Sequence, residues 1–128
     1  MTVNKEIRIL IVEDDDINRK LLVSILKNLG FKYVVEAENG RYAWELLHKE
    51  PIDLVMTDWM MPEMDGLELL QQIRQSDSKL KSVKVMMITA LGKQDDIMKA
   101  ARYEIDGYVV KPFSVNTVLS KIEEMMKV

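Results

Sequence analysis

The stretch Ile7-Arg8-Ile9-Leu10-Ile11-Val12-Glu13-Asp14-Asp15-Asp16 decides the fold, because a run of apolar, mostly β-branched residues stops abruptly at four acids. An uninterrupted apolar run of this length is typical of a strand that is buried on both faces of a parallel sheet. The acids then form the loop after the strand. Apolar residues recur at helical spacing from residue 18 to residue 29, where Gly30 marks the end of a helix and Asp16 is its predicted N-cap.

The alternation of strand and helix continues along the rest of the chain. Strands are predicted at 33–37, 53–57, 83–88 and 107–110, and helices at 41–49, 67–74, 95–103 and 114–127. Regular alternation with short loops indicates an α/β fold in which helices cover both faces of a parallel sheet. Five strand–helix units favour an open, doubly wound sheet with five helices over a barrel, which needs eight units.

Length and composition predict one soluble domain over residues 1–128, with no room for an additional output domain. Apolar residues make up 48% of the chain and charged residues 30%, as in ordinary globular proteins. The net charge of −3, without a clustered basic patch, argues against direct binding of nucleic acid. No apolar run is long enough to span a bilayer, and the first six residues lack the apolar core of a secretory signal. We therefore expect a cytoplasmic protein that does not insert into membranes.

The sequence also limits the kind of metal site that is possible. Cysteine is absent and His48 is the single histidine, so thiolate sites and histidine clusters are excluded. Any bound metal must be held by oxygen atoms.

Five polar side chains follow the first, third, fourth and fifth predicted strands. Glu13 and Asp14 come after the first strand, Asp58 after the third, Thr89 after the fourth and Lys111 after the fifth. Ligands of open α/β sheets bind beyond the carboxyl ends of the strands, so this edge is the candidate site. If the strand order is 2-1-3-4-5, the third strand lies between the first and the fourth, and one pocket holds all five residues.

Three carboxylates in one pocket repel each other unless a proton or a cation is bound. Oxygen ligands without histidine or cysteine favour Mg²⁺, which takes one or two carboxylates together with phosphate oxygens. A carboxylate such as that of Asp58 can also act as a covalent nucleophile in phosphoryl transfer. Lys111 would pair with one oxygen of the transferred group, and the Thr89 hydroxyl would donate to another.

Four separate blocks of the sequence resemble, in order, the signature blocks of response-regulator receiver domains of two-component systems. The resemblance spans essentially the whole chain and implies the flavodoxin-like strand order 2-1-3-4-5. It also implies a signalling phosphoacceptor, rather than an enzyme, which assists its own phosphorylation and dephosphorylation. The blocks are Val12-Glu13-Asp14-Asp15, Thr57-Asp58-Trp59-Met60-Met61-Pro62-Glu63-Met64-Asp65-Gly66, Ile88-Thr89-Ala90 and Val110-Lys111-Pro112-Phe113.

The same resemblance implies the roles of the metal-site residues. Asp58 is implied to be the phosphoacceptor. Asp14 and Asp58 are implied to bind Mg²⁺ directly, Glu13 through water, and Met60 through its main-chain carbonyl.

The resemblance also implies a switch that reports phosphorylation. Lys111 is implied to pair with the phosphoryl group, and the bond from Lys111 to Pro112 is cis in many relatives. Thr89 is implied to be the switch hydroxyl and Tyr108 the switch aromatic. Together they would carry the state of the pocket to the face built from the fourth helix, the fifth strand and the fifth helix.

Among receiver domains, the chain most resembles the single-domain chemotaxis regulators that bind the flagellar switch. Trp59 and the stretches 65–70 and 107–113 carry this likeness. Met60 and Leu91 differ, because chemotaxis regulators often have polar residues there that help set how fast the phosphoryl group is lost. The implied partners are a histidine kinase and a downstream target, either a flagellar switch component or a phosphorelay histidine protein. We expect the protein itself to be a monomer.

Three other functions fit the predicted fold less well. A small aspartyl-phosphate phosphohydrolase needs a second acid two positions after the nucleophile, where this chain has Met60. A flavodoxin-like nucleotide carrier needs a first loop rich in Gly, Ser or Thr, whereas residues 13–16 are all acidic. A receiver that acts only as an adaptor would not need the full set of Asp14, Asp58, Thr89 and Lys111.

Overall fold

Strands and helices alternate throughout the computed structural model, which describes residues 3–126. The strands are β1 (Arg8–Val12), β2 (Tyr33–Ala37), β3 (Leu54–Thr57), β4 (Lys84–Thr89) and β5 (Gly107–Val110). The helices are α1 (Asp16–Asn28), α2 (Gly40–Lys49), α3 (Gly66–Arg74), α4 (Gln94–Arg102) and α5 (Val115–Met125), and a short 3₁₀ helix spans Lys79–Ser82. The predicted elements are confirmed to within one or two residues, while Lys127 of the predicted last helix lies outside the described residues.

The five strands form one parallel sheet in the order β2-β1-β3-β4-β5, which confirms the flavodoxin-like arrangement. The register places Val12 of β1 beside Thr57 of β3. Because Glu13 and Asp58 are the next residues of those two strands, they leave the sheet side by side. The sheet order therefore brings the acids of separate loops to one edge.

Side chains of the strands point alternately to two apolar cores, one on each face of the sheet. On one face Leu10, Val55 and Val85 pack with residues of α2, α3 and α4. On the other face Ile11, Met56 and residues of α1 and α5 form the second core. Both faces of the sheet are thus covered, which explains why the strands read as continuous apolar runs.

The start of α1 corrects one prediction. Asp15, and not Asp16, is the N-cap, because its backbone is extended and its carboxylate accepts a hydrogen bond from the Asn18 amide at 2.9 Å. Asp16 is the first helical residue, where its charge is favourable near the positive end of the helix dipole. Within residues 3–126, no helix is both long enough and apolar enough to cross a membrane.

Candidate functional site

Three carboxylates meet at the carboxyl edge of the sheet. One oxygen from each of Glu13, Asp14 and Asp58 lies within 4.8 Å of the others. Their exposure differs, because Glu13 is buried, Asp58 is half-buried and Asp14 is exposed. The site therefore opens to solvent on the side of Asp14.

Lys111 joins two of these carboxylates from the end of β5. Its Nζ atom donates to Glu13 Oε1 at 3.0 Å and to Asp58 Oδ2 at 3.2 Å. The main-chain amide of Lys111 donates to the Thr89 carbonyl at 2.8 Å, so the lysine continues the pairing of β4 with β5. The bond to Pro112 is cis, as the resemblance implied.

Asp58 is fixed by hydrogen bonds from its immediate surroundings. Its amide donates to the Val12 carbonyl at 3.0 Å, which extends the pairing of β1 with β3 by one residue. The Trp59 amide donates to Asp58 Oδ1 at 2.7 Å. The Thr57 hydroxyl donates to the Asp58 carbonyl at 2.8 Å. Both the main chain and the carboxylate of Asp58 are thus oriented before any ligand binds.

Glu13 is held just as closely, although it lies in a loop. Its amide donates to the Ala37 carbonyl at 3.0 Å, and its Oε2 accepts from the Asp15 amide at 3.1 Å. With Lys111 on Oε1, both carboxylate oxygens of Glu13 have donors. A buried carboxylate needs such partners to remain ionised.

The pKa values of Glu13 and Lys111 are both raised in this pocket. Burial raises the pKa of Glu13, and the nearby Asp58 charge adds to this effect, although the Asp15 amide and Lys111 oppose it. Burial alone would lower the pKa of Lys111, but the hydrogen bonds and charges of Glu13 and Asp58 outweigh it and raise that pKa. Glu13 therefore holds a proton more tightly than usual mainly because it is buried, and Lys111 does so because two carboxylates bond to its ammonium group.

These residues fit a hard divalent cation. All three groups offer carboxylate oxygens, and two negative charges remain after Lys111 is counted against the three acids. Mg²⁺ binds through one or two carboxylates and keeps several waters, which suits a site that is open beside Asp14. Asp14 and Asp58 would bind the ion directly, and Glu13 would contact it through water.

Thr89 and Tyr108 meet at the main chain of Leu91. The Thr89 side chain is buried, and its Oγ1 accepts from the Leu91 amide at 3.2 Å. The Tyr108 hydroxyl donates to the Leu91 carbonyl at 2.5 Å. The Tyr108 ring also packs edge-on against Trp59, with 6.5 Å between centroids. The two predicted switch residues are therefore connected through one residue of the β4–α4 loop.

Tyr108 stays protonated over the physiological range. Burial, together with the charges of Asp96 and Asp58, raises the pKa of its hydroxyl to about 12. A neutral hydroxyl is required for the hydrogen bond to Leu91, because a phenolate has no proton to donate.

The structure thus brings Glu13, Asp58 and Lys111 into direct contact, with the Asp14 carboxylate within 4.8 Å of the other two acids and Thr89 at the end of the neighbouring strand. Met60 lies two residues beyond Asp58, and its side chain is exposed. The role of its carbonyl as a metal ligand stays a prediction.

Sequence reasoning missed Arg19, which lies on the buried face of α1 and donates to the Glu13 carbonyl. A signal was present, because Arg19, Leu22 and Leu26 share one helical face and a cation there needs buried partners. Gly66 was also missed. Its amide donates to the Trp59 carbonyl at 2.8 Å. A Cβ atom at this position would collide with the Asp58 carbonyl.

Residues 9–123 match the family model described as response regulator receiver domain. The chain is 41% identical over 124 residues to chemotaxis protein CheY-3 of Vibrio cholerae serotype O1, which covers 97% of this chain and 95% of that protein. It is also 41% identical over 120 residues to chemotaxis protein CheY of Pseudomonas aeruginosa, covering 94% of this chain and 96% of the relative.

Solved structures agree with these sequence relatives. Vibrio cholerae chemotaxis protein CheY4 superposes with a TM-score of 0.87 at 26% identity, covering 94% of this chain and 98% of that one. A putative response regulator from Chloroflexus aurantiacus gives a TM-score of 0.89 at 25% identity, with coverage of 96% and 99%. The likeness extends over nearly the full length in both cases.

Proposed function

Because the chain belongs to the response regulator receiver family, we propose that it accepts a phosphoryl group on Asp58 with Mg²⁺ bound and changes shape as a result. It would act as a receiver domain in the cytoplasm. One observation carries the proposal, namely that the Lys111 ammonium group bonds to Asp58 in a cluster of three carboxylates. This combination supplies a nucleophile, a phosphate-pairing cation and oxygen ligands for a metal.

The transfer requires only positioned groups and charge compensation. An oxygen of the Asp58 carboxylate attacks the phosphorus atom and forms the new O–P bond. The bond between phosphorus and the donor's leaving atom breaks, and that atom keeps the electron pair. With a phosphohistidine donor the leaving atom is an imidazole nitrogen, which then takes up a proton from solvent.

Positively charged groups beside Asp58 would assist this step by offsetting the negative charge of the phosphoryl oxygens. Lys111 already lies 3.2 Å from Asp58 Oδ2 and is oriented to pair with an oxygen of the incoming group. Mg²⁺ held by Asp14 and Asp58 would offset the negative charge of the transferred oxygens. Glu13 keeps Lys111 in place through its hydrogen bond at 3.0 Å.

The switch would begin at the Thr89 hydroxyl. At present that oxygen accepts from the Leu91 amide, while Tyr108 bonds to the carbonyl of the same residue. A phosphoryl oxygen is a stronger acceptor for the Thr89 proton, so the hydroxyl would turn towards Asp58. Leu91 would then lose one of its two hydrogen bonds, the one to Thr89. Tyr108 would rotate inward, and the face built from α4, β5 and α5 would change shape.

A histidine kinase is the proposed donor. A largely apolar cavity of about 430 Å³ lies beside the carboxylates, between α1 and the segment that follows β5. Leu21 and Val115 line it and are exposed, and Ile17 on α1 is exposed as well. A partner that delivers a phosphoryl group to Asp58 would find apolar contacts there.

A component of the flagellar switch is the proposed target, with a phosphorelay histidine protein as the competing one. The 41% identity with two chemotaxis proteins over nearly the whole chain supports the first choice. Binding of the phosphorylated and unphosphorylated forms to each kind of target separates them. A phosphorelay receiver would pass its phosphoryl group to the histidine protein. A receiver that acts on the flagellar switch would instead bind the switch component and keep its phosphoryl group.

Incubation with acetyl phosphate and Mg²⁺ tests the phosphoacceptor directly. We expect the intact mass to rise by one phosphoryl group per chain, and we expect EDTA to prevent the gain. Asp58→Asn should abolish it. Asp77→Asn is the matched control, because Asp77 is an exposed aspartate outside the pocket, and it should label like the wild type.

Two results would contradict the proposal. One is the absence of any labelling with every small donor tried, and the other is undiminished labelling of the Asp58→Asn variant. Continued turnover of a phosphate ester, without a stable single label, would instead indicate a phosphohydrolase.

A further inference from the structure

Arg19 places a buried guanidinium group beneath the acidic loop that joins β1 to α1. The residue is only 8% exposed, which is unusual for an arginine. It shares the inward face of α1 with Leu22 and Leu26. A buried cation is costly unless its hydrogen bonds are made.

The guanidinium group reaches three different acceptors. Nη1 donates to the Glu13 main-chain carbonyl at 2.8 Å, and this contact is buried. Nε donates to Glu36 Oε1 at 3.1 Å, and Nη2 donates to Asp16 Oδ1 at 2.5 Å. The two carboxylates balance the charge and fix the plane of the guanidinium group, which leaves Nη1 aimed at the Glu13 carbonyl.

That carbonyl belongs to the peptide unit between Glu13 and Asp14. The preceding peptide is held by the sheet, because the Glu13 amide bonds to the Ala37 carbonyl. The following one is held by the Asp15 amide, which donates to Glu13 Oε2. Since a peptide unit is planar, a bond to its carbonyl also fixes the direction in which the next Cα, that of Asp14, leaves the loop.

We infer that Arg19 is a positioning residue for the cation site, holding the Glu13–Asp14 peptide so that the Asp14 carboxylate stays close to Asp58. This inference rests on the proposed function, because it assumes that the three carboxylates bind Mg²⁺. Arg19 itself does not touch the ion. Its effect is to keep the loop in the binding conformation before the ion arrives, so that no binding energy is used to order it.

A second arginine, the half-buried Arg74, provides a control at the opposite end of the strands. The Arg74 side chain donates to the carbonyls of Lys81, Val83 and Glu104 and to Asp106 Oδ2. Its side chain is 11% exposed, compared with 10% for Arg19. Removing either guanidinium group costs stability through lost hydrogen bonds, but only Arg19 contacts the acidic loop.

The experiment compares Arg19→Met with Arg74→Met in the full chain. Mg²⁺ affinity is measured by titration calorimetry, and the thermal unfolding of each variant is followed by circular dichroism, with and without Mg²⁺. We expect Arg19→Met to bind Mg²⁺ about tenfold more weakly, as is usual when an outer partner of a metal ligand is removed. Arg74→Met should lower the unfolding temperature while keeping the wild-type affinity.

Two further variants keep the test decisive if Arg19→Met does not fold. Arg19→Lys retains the charge but lacks the planar fork, so it cannot hold the Glu13 carbonyl and both carboxylates together, and we expect weakened Mg²⁺ binding. Glu36→Gln removes a negative charge but keeps a side-chain oxygen that can accept from Arg19 Nε, so the guanidinium plane and its bond to the Glu13 carbonyl are retained. This variant should bind Mg²⁺ almost as the wild type does.

Equal Mg²⁺ affinity of Arg19→Lys, Arg19→Met and the wild type would overturn the positioning role and leave the proposed function intact. An equal loss of affinity in Arg74→Met or Glu36→Gln would also overturn it, because the effect would not depend on the Glu13 carbonyl. Failure of the wild type to bind Mg²⁺ would remove the proposed metal site itself.

Discussion

Replacement of Gly66 by alanine should destabilise the protein although it adds only one methyl group. Gly66 is the first residue of α3, and a Cβ atom built on it would lie 2.1 Å from the Asp58 carbonyl oxygen. The same atom would lie 3.0 Å from the Asp58 carbonyl carbon and from Trp59 Cα. All three neighbours are main-chain atoms, so none can move without displacing the loop that carries the proposed phosphoacceptor.

Two opposing effects set the size of the change. Alanine in place of glycine restricts the unfolded chain and by itself would stabilise the fold by up to about 1 kcal/mol. Forcing a methyl group into filled space costs about 1 to 3 kcal/mol, and the cost lies at the upper end when the obstruction is backbone. We therefore expect Gly66→Ala to lower the free energy of unfolding by about 2 kcal/mol.

Urea unfolding followed by tryptophan fluorescence measures this change, because Trp59 is buried next to Asp58. Gly92→Ala is the control. There the new Cβ would meet the Val110 Cγ1 atom at 2.9 Å, and Val110 is an exposed side chain that can rotate away. Its stability should change by less than about 0.5 kcal/mol. A Gly66→Ala variant as stable as Gly92→Ala would refute the reasoning, as would one that binds Mg²⁺ like the wild type despite a displaced loop.

Further predictions concern Tyr108, the proposed switch tyrosine, and Glu36, the acid beside Arg19. Tyr108→Phe removes the hydrogen bond to the Leu91 carbonyl and should cost about 1 kcal/mol in urea unfolding, so an unchanged midpoint would mean that water replaces the bond. Burial alone would raise the pKa of Glu36, but hydrogen bonds from Lys20 and Arg19 outweigh it and lower that pKa below its ordinary 4.5. The stability that ionised Glu36 contributes is thus complete above pH 4.5 and lost as the pH falls through its folded value. The difference in stability between wild type and Glu36→Gln should shrink on acidification, and a difference that grows would contradict this sign.

Most of the secondary structure could be predicted from the sequence because strand and helix differ in the period of their apolar residues. The 7–12 run and the helical spacing after Asn18 both appear as expected. Strand order could not be obtained in this way, since every buried strand has a similar composition, and it came from the family resemblance. The cap of α1 was placed one residue too late because Asp15 and Asp16 are equally suited to capping by type.

The residues of the candidate site could be predicted from the sequence, but the contacts between some of them could not. Asp58, Asp14, Glu13 and Lys111 follow strands, so their convergence depends only on the sheet. The meeting of Thr89 and Tyr108 at Leu91 depends on the path of a loop, which no periodicity describes. The same is true of the Met60 carbonyl, whose proposed contact with a metal depends on the turn after Asp58.

The position of each strand in the sheet separates fixed parts of the molecule from movable ones. β1 and β3, which precede the acids, each pair with a strand on both sides, whereas β5 lies at the rim beside β4 alone. Displacing an inner strand would break two ladders of hydrogen bonds, and displacing β5 would disturb one. The acids that follow β1 and β3 are therefore anchored in the stiffest part of the sheet, whereas Tyr108 on β5 lies where deformation is least costly. A receiver with this order can change its surface at the rim without displacing the acids that follow β1 and β3.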